Sequence, residues 1–103
     1  MAARSHEEFS AAKRKLIESI ENNELSLGEA VRGMREITGL SQKAYAERIV
    51  GISTRILAEI ELDQGNPTVD TLNKIGRPFG YTVGFIPGFR KQSRGAAIAE
   101  TSR

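Results

Sequence analysis

The stretch LSQKAYAERIVGISTRILAEIEL, residues 40–62, holds two short helical patterns separated by a single glycine. Ser41 is an N-cap residue whose hydroxyl can satisfy an orphan backbone N–H. It opens SQKAYAERIV, with Tyr45, Ala46 and Ile49 on the inward face. Gly51 breaks that helix where a positive φ is needed, a conformation glycine adopts without steric penalty. Ile52 and Ser53 lead directly into a second helix, STRILAEIEL, capped by Ser53 and turning Leu57 and Ile60 inward. Ala46 is small where the two helices must cross closely, and Ile49, Ile52, Leu57 and Ile60 lock them at a steep angle. Ser53, Thr54 and Arg55 are then left pointing outward from the start of the second helix, a geometry that a major groove accepts. Two helices about a glycine turn recur in several folds, so the flanking sequence carries weight.

Upstream, Ser26 and Glu29 have the spacing of a capping box. The helix they open presents Leu27, Ala30, Val31, Met34 and Ile37 to a core and stops near Gly39. Ser5 and Glu8 repeat the signature ahead of an amphipathic helix with Phe9, Ala12, Leu16, Ile17 and Ile20 on one face, ended by Glu21-Asn22-Asn23. A short helix is marginal alone, so this one is expected to pack on the main domain or on a dimer mate.

Downstream, Asp63-Gln64-Gly65-Asn66-Pro67 is dense in turn formers. Thr68 opens a further helix with Val69, Leu72, Ile75 and Phe79 on its apolar face. Pro78 should kink or end it, and Gly80 closes it. YTVGFIP, rich in β-branched and aromatic residues, is the one strand signal in the chain. A lone strand leaves its backbone groups unpaired. The economical partner is the same strand of a second subunit, antiparallel across a two-fold axis, with Tyr81, Val83 and Phe85 at the junction.

Composition limits the function classes. At 103 residues, with 39% hydrophobic and 27% charged side chains, the chain suits one globular domain with a small core. It has no cysteine and one histidine, His6 near the N-terminus, read as solvated. That leaves no nucleophile–base pair and no metal cluster, and none of the ten glycines has a phosphate-loop spacing. An enzyme is not expected, nor a cofactor. No apolar run reaches a membrane span and MAARSHEEFS lacks an apolar signal stretch, so a soluble cytoplasmic protein without membrane contact is expected. The net charge is only +2, but residues 89–103 carry four basic residues against one acid. They read as a solvated tail able to raise DNA affinity without adding sequence preference.

The stretch GLSQKAYAERIVGISTRILAEIELDQGNPTVDTLNKIG resembles the Xre family, the phage-repressor and Cro-like helix-turn-helix domains, from about Leu27 to Gly80. The resemblance implies a mainly α fold: a five-helix bundle with a lambda-repressor-like helix-turn-helix, here with one C-terminal β-strand pairing across a dimer. The chain then divides into an N-terminal amphipathic helix (1–25), a DNA-binding domain (26–80), a dimerisation strand (81–88) and a basic disordered tail (89–103). By the same resemblance Gln42 contacts phosphate and braces the recognition helix, Ser53, Thr54, Arg55, Ala58 and Glu59 face base edges, and Arg35 pairs with Glu61. Two departures stand out. Four residues, Glu47 to Val50, lie between Ala46 and Gly51 where the family usually has three, so the extra residue should lengthen the turn or overwind the helix end. Leu62-Asp63 stands where the family often has a basic residue and glycine, which removes a phosphate contact.

Arg55 can donate twice to guanine O6 and N7, worth about 1–3 kcal/mol of discrimination. Its alternative, an ion pair with Glu59, is worth about 0.2–0.5 kcal/mol. Thr54 suits a base or a phosphate. Gln42 and Lys43 lie at a helix start, where backbone amides favour phosphate, and the loop at Asn66 is a third phosphate position. Ile56 is apolar at a partly exposed position and is expected to fill a gap beside Val50, with a thymine methyl as the alternative. The expected function is a dimeric repressor on double-stranded operator DNA, acting on its own operon. The ending GRPFGYTVGFIP further resembles HipB-like antitoxins, which implies a HipA-like kinase toxin as partner. The competing reading is a protein-interaction module that holds a partner with little specific DNA reading.

Overall fold

A computed structural model describes residues 5–88. Five α-helices follow in order: α1 (His6–Glu21), α2 (Leu27–Thr38), α3 (Gln42–Ala44), α4 (Thr54–Glu61) and α5 (Val69–Gly76). Helix α3 runs without a break into a π-helical segment (Tyr45–Val50), and α5 into a 3₁₀ turn (Arg77–Phe79). Each helix starts where a hydroxyl can take up an orphan amide. Ser5, Ser26, Ser41, Ser53 and Thr68 accept from the N–H of Glu8, Glu29, Ala44, Ile56 and Thr71, at 3.0–3.1 Å. In α1 and α2 the glutamate returns the bond to the cap's own N–H, completing both capping boxes. Pro78 falls in the 3₁₀ turn and Gly80 closes it at φ 76°, so the proline ends α5 rather than kinking it.

The core is built from one to three residues per helix: Leu16, then Val31, Met34 and Ile37, then Tyr45, Ala46 and Val50, then Leu57 and Ile60, and Ile75. Tyr45 is wholly buried, and its hydroxyl donates to the Ile75 carbonyl at 3.1 Å, tying the motif's first helix to α5. Burial, then the nearby Glu61 charge, raises its pKa above the usual tyrosine value. Helix α1 lies on α2, with Leu16 against Gly33. Beneath it runs the chain after α5: Phe79 stacks on Tyr81 at 5.9 Å between ring centres, and the Lys13 ammonium lies 6.0 Å from the Phe79 ring.

Four inward assignments are corrected. Ile49 is exposed and Val50 is buried in its stead. The extra residue neither lengthens the turn nor overwinds the helix. It is absorbed by a wider helical turn, in which Gly51 N–H donates to the Ala46 carbonyl at 2.7 Å, five residues back. Ile52 N–H shares that acceptor at 3.0 Å, and Gly51 leaves the helix at φ 85°. Leu27 is half exposed because its neighbour Gly28 is the residue at the start of α2 that lies against the end of α4. Val69 is exposed at the start of α5, and Phe9 lies at the free end of α1.

The strand expected over 81–88 is not formed within the described residues. Tyr81 N–H donates to the Gly76 carbonyl and Val83 N–H to Asn73 Oδ1, at 3.0 and 2.9 Å, so the segment is tied to α5 rather than to a sheet edge. The basic tail expected over 89–103 lies outside the described residues.

Candidate functional site

The exposed side of α4 is fixed by what holds its other side. At 100° per residue, Leu57, Ile60 and Glu61 share one arc of the helix, and all three are buried. Arg55 and Glu59 lie opposite, with Ala58 and Ile56 on the two shoulders. The seam where α3 and its π segment meet α4 is closed by Ala46, fully buried, and by Ile52, half buried.

The C-terminal end of α4 is held by a polar cluster. Arg35 grips Glu61 twice: Nε donates to Oε2 at 2.7 Å and Nη2 to Oε1 at 3.1 Å. Its remaining nitrogen, Nη1, donates to the Leu40 carbonyl at 3.0 Å. The Gln42 amide donates to Glu61 Oε1 at 2.9 Å. The Arg35 and Glu61 side chains are only 15% and 4% exposed. The hydrogen bond to Glu61 raises the Arg35 pKa, partly offset by burial, so the guanidinium stays charged. One carboxylate thus fastens α4 to the end of α2 and the start of α3.

The open first turn of α4 carries a different set. The Ser53 hydroxyl is engaged as the cap, Thr54 is half buried, and the Arg55 side chain is 82% exposed. Its Nε lies 3.8 Å from Glu59 Oε2, a loose pair one turn apart. Lys43, on the exposed start of α3, is paired with Glu47 at 3.1 Å. Asn66 is exposed in the turn before α5. Arg55, Ala58 and Glu59 therefore lie away from the buried arc, Ser53 and Thr54 stand at the helix start with Thr54 turned partly toward that arc, and Gln42 is already engaged inside the polar cluster.

Two residues that shape this surface carried no such role in the sequence reading. Asp63 adopts φ 59°, just past the end of α4. Its Oδ1 accepts from Gly28 N–H and its Oδ2 from the Ser26 hydroxyl, both at 2.7 Å. A carboxylate at a helix N-terminus is favoured by the helix dipole. The departure at Leu62-Asp63 is therefore an anchor between α4 and α2. Gly28 permits the approach: a Cβ there would lie 2.5 Å and 2.7 Å from the carbonyl oxygens of Ile60 and Glu61. The available sequence signal was an acid directly after a helix end, a position that favours the left-handed region.

Among the described residues no group of His, Asp and Glu side chains could hold a metal ion, and no helix is long and apolar enough to cross a membrane.

Residues 31–86 match the family described as helix-turn-helix. An uncharacterized HTH-type transcriptional regulator of Haemophilus influenzae is 38% identical over 53 residues, 52% of this chain and 53% of that protein. The chain thus spans about half the length of that relative. No solved structure matches the chain.

Proposed function

We propose, because this chain belongs to the Xre/Cro-like helix-turn-helix family, that it regulates transcription by laying α4 in the major groove of operator DNA. The supporting observation is how α4 is presented. Its inward side is closed by Leu57 and Ile60, its far end is fastened through Glu61, and its first turn is open. A helix fixed in this way has little orientational freedom left to lose on docking.

In this reading Ser53, Thr54, Arg55, Ala58 and Glu59 meet base edges, and Gln42, Lys43 and Asn66 meet phosphates. The Gln42 amide nitrogen has two hydrogens. One goes to Glu61, and the other is free to donate to a phosphate while the brace stays in place. Arg55 must choose between Glu59 and a guanine. An exposed pair one turn apart is worth about 0.2–0.5 kcal/mol, and a bidentate guanine contact about 1–3 kcal/mol. The base wins, leaving Glu59 to orient Arg55 or to accept from a cytosine amino group.

Selection of bound fragments from a genomic library tests this. A palindrome with half-sites about 34 Å apart supports dimeric groove reading. No enrichment at moderate salt would leave only a protein-interaction module built on the same scaffold. On the selected site, Arg55→Ala is expected to weaken binding about tenfold or more, with little change on unrelated DNA. Equal losses on both would assign Arg55 to phosphate instead.

The dimer belongs to the same proposal. Val83, Phe85 and Ile86 are exposed, and pairing of the Tyr81–Ile86 segments of two copies would cover them. Val83→Asp is expected to produce monomers by light scattering. A variant that stays dimeric would refute pairing through this segment. A dimer seated on its own promoter would exclude polymerase, giving a cytoplasmic autorepressor. A second role, the HipB-like one, in which a HipA-like kinase toxin docks beside the dimer, rests on the resemblance of the ending GRPFGYTVGFIP and on the added helix α1. Co-purification of a kinase encoded next to this gene is the measurement for it.

A further inference from the structure

Ile56 is 40% exposed on the first full turn of α4. The inward arc of the helix is already filled by Leu57 and Ile60, both at 3% exposure or less. At that exposure a large part of the Ile56 side chain is open to solvent and not taken up by packing. It stands on the shoulder of the outward surface next to Glu59, at the mouth of a shallow cleft between α4 and the 64–68 turn. The other residues at that mouth include Gln64, Asn66 and Thr68. Pro67 and the buried Ile60 also line the cleft, but Ile56 is its one exposed large aliphatic side chain, far smaller than a protein-docking patch, which covers several hundred Å². Its size and position suit one methyl group instead.

In the major groove the apolar feature of a base pair is a pyrimidine 5-methyl, and in unmodified DNA that is thymine's. We propose that Ile56 reads a thymine methyl in each half-site, beside the base pair read by Arg55. This rests on the groove-reading function above and adds a sequence preference to it. Residues 55 and 56 are about 100° and 1.5 Å apart on the helix, so the two contacts fall on different bases. Ile56 supplies no hydrogen bond. Its preference comes only from removing two apolar surfaces from water together.

The test uses the full-length protein and the selected operator, with each thymine of the half-site replaced in turn by deoxyuridine. That exchange removes the methyl and leaves the hydrogen-bonding edge unchanged. One position per half-site is expected to lose about fourfold in affinity, or about 0.8 kcal/mol, when its methyl is removed. Replacement in both half-sites should cost about fifteenfold if the two add. Ile56→Ala should bind the thymine and deoxyuridine forms of that position equally, and Ile56→Val should keep most of the difference. If no thymine is sensitive while specific binding persists, the proposal is overturned and the groove-reading function stands. Sensitivity undiminished in Ile56→Ala would give the methyl to another residue and also overturn it. A library that yields no preferred sequence removes both.

Discussion

Arg35→Ala is expected to lower the unfolding free energy by about 3–5 kcal/mol, the usual effect of orphaning a buried charge. The asymmetry of the pair sets this size. Glu61 is the more buried partner, at 4% exposure against 15%, and takes three donated hydrogen bonds, two of them from Arg35. Without Arg35 the carboxylate keeps only the Gln42 amide, with little access to water. Glu61→Ala is expected to be milder, because Arg35 retains the Leu40 carbonyl and can reach solvent. Arg35→Lys should recover only part of the loss, since an ammonium cannot reproduce the two-pronged grip. Small domains hold only about 5–15 kcal/mol in total, so the alanine variant should be partly unfolded near physiological temperature. Urea unfolding followed by circular dichroism measures the change. A loss under about 1 kcal/mol would mean that the cluster is as solvated as a surface pair.

Gly28→Ala has the second largest expected effect, and its sign is opposite to helix propensity. Alanine in a helix interior is favoured over glycine by about 1 kcal/mol. At residue 28, however, the added methyl would meet two backbone oxygens at 2.5 and 2.7 Å and the Asp63 carboxylate at 2.9 Å. Backbone carbonyls at a helix end cannot swing aside, so α2 and α4 must separate. Overpacking of this kind costs about 1–3 kcal/mol, and the separation also stretches the bond from Gly28 N–H to Asp63. A net loss of about 1–2 kcal/mol is expected after the propensity gain. Gly33→Ala is the matched comparison. Its new methyl would lie 2.9 Å from Leu16 Cδ1, the mobile end of a side chain. That variant should therefore be close to neutral, and equal effects at the two positions would refute the close-approach account of Gly28.

The helix starts were legible because they are local. A hydroxyl followed three residues later by a free amide needs no knowledge of the rest of the chain, and all five caps stand where such residues occur. Leu57, Ile60 and Ala46 were legible for a similar reason, since helical periodicity around Gly51 leaves them one way to face. Ile49 was not. Its inward assignment assumed 3.6 residues per turn, and the segment from Tyr45 to Val50 has a wider turn. Leu27 failed by the opposite route. Hydrophobicity favours burying leucine, but at the start of α2 the approach to the end of α4 leaves no room for a side chain, so its neighbour Gly28 faces inward.

The polar part of the site was partly legible. The Arg35–Glu61 pair came from family resemblance and not from spacing, because 26 residues separate the partners. Asp63 escaped notice because turn composition explains an aspartate there without assigning its side chain a distant partner. Its two acceptors are 35 and 37 residues from their donors. Contacts of that range are decided by how whole helices settle on one another, which no local pattern records.

The widened turn before Gly51 also bears on how such a chain tolerates changes in length. One residue added to a regular α-helix rotates everything beyond it by about 100° and advances it by about 1.5 Å. Here the surplus is taken up as girth, and the turn still ends on a glycine whose amide returns to Ala46. Ala46 remains in the crossing and Leu57 remains sealed. An insertion at this place is therefore a local bulge, with no shift of register downstream. Chains that differ by one residue between these two points can share the same seating of the second helix, so gap placement in an alignment here says little about which surface that helix presents.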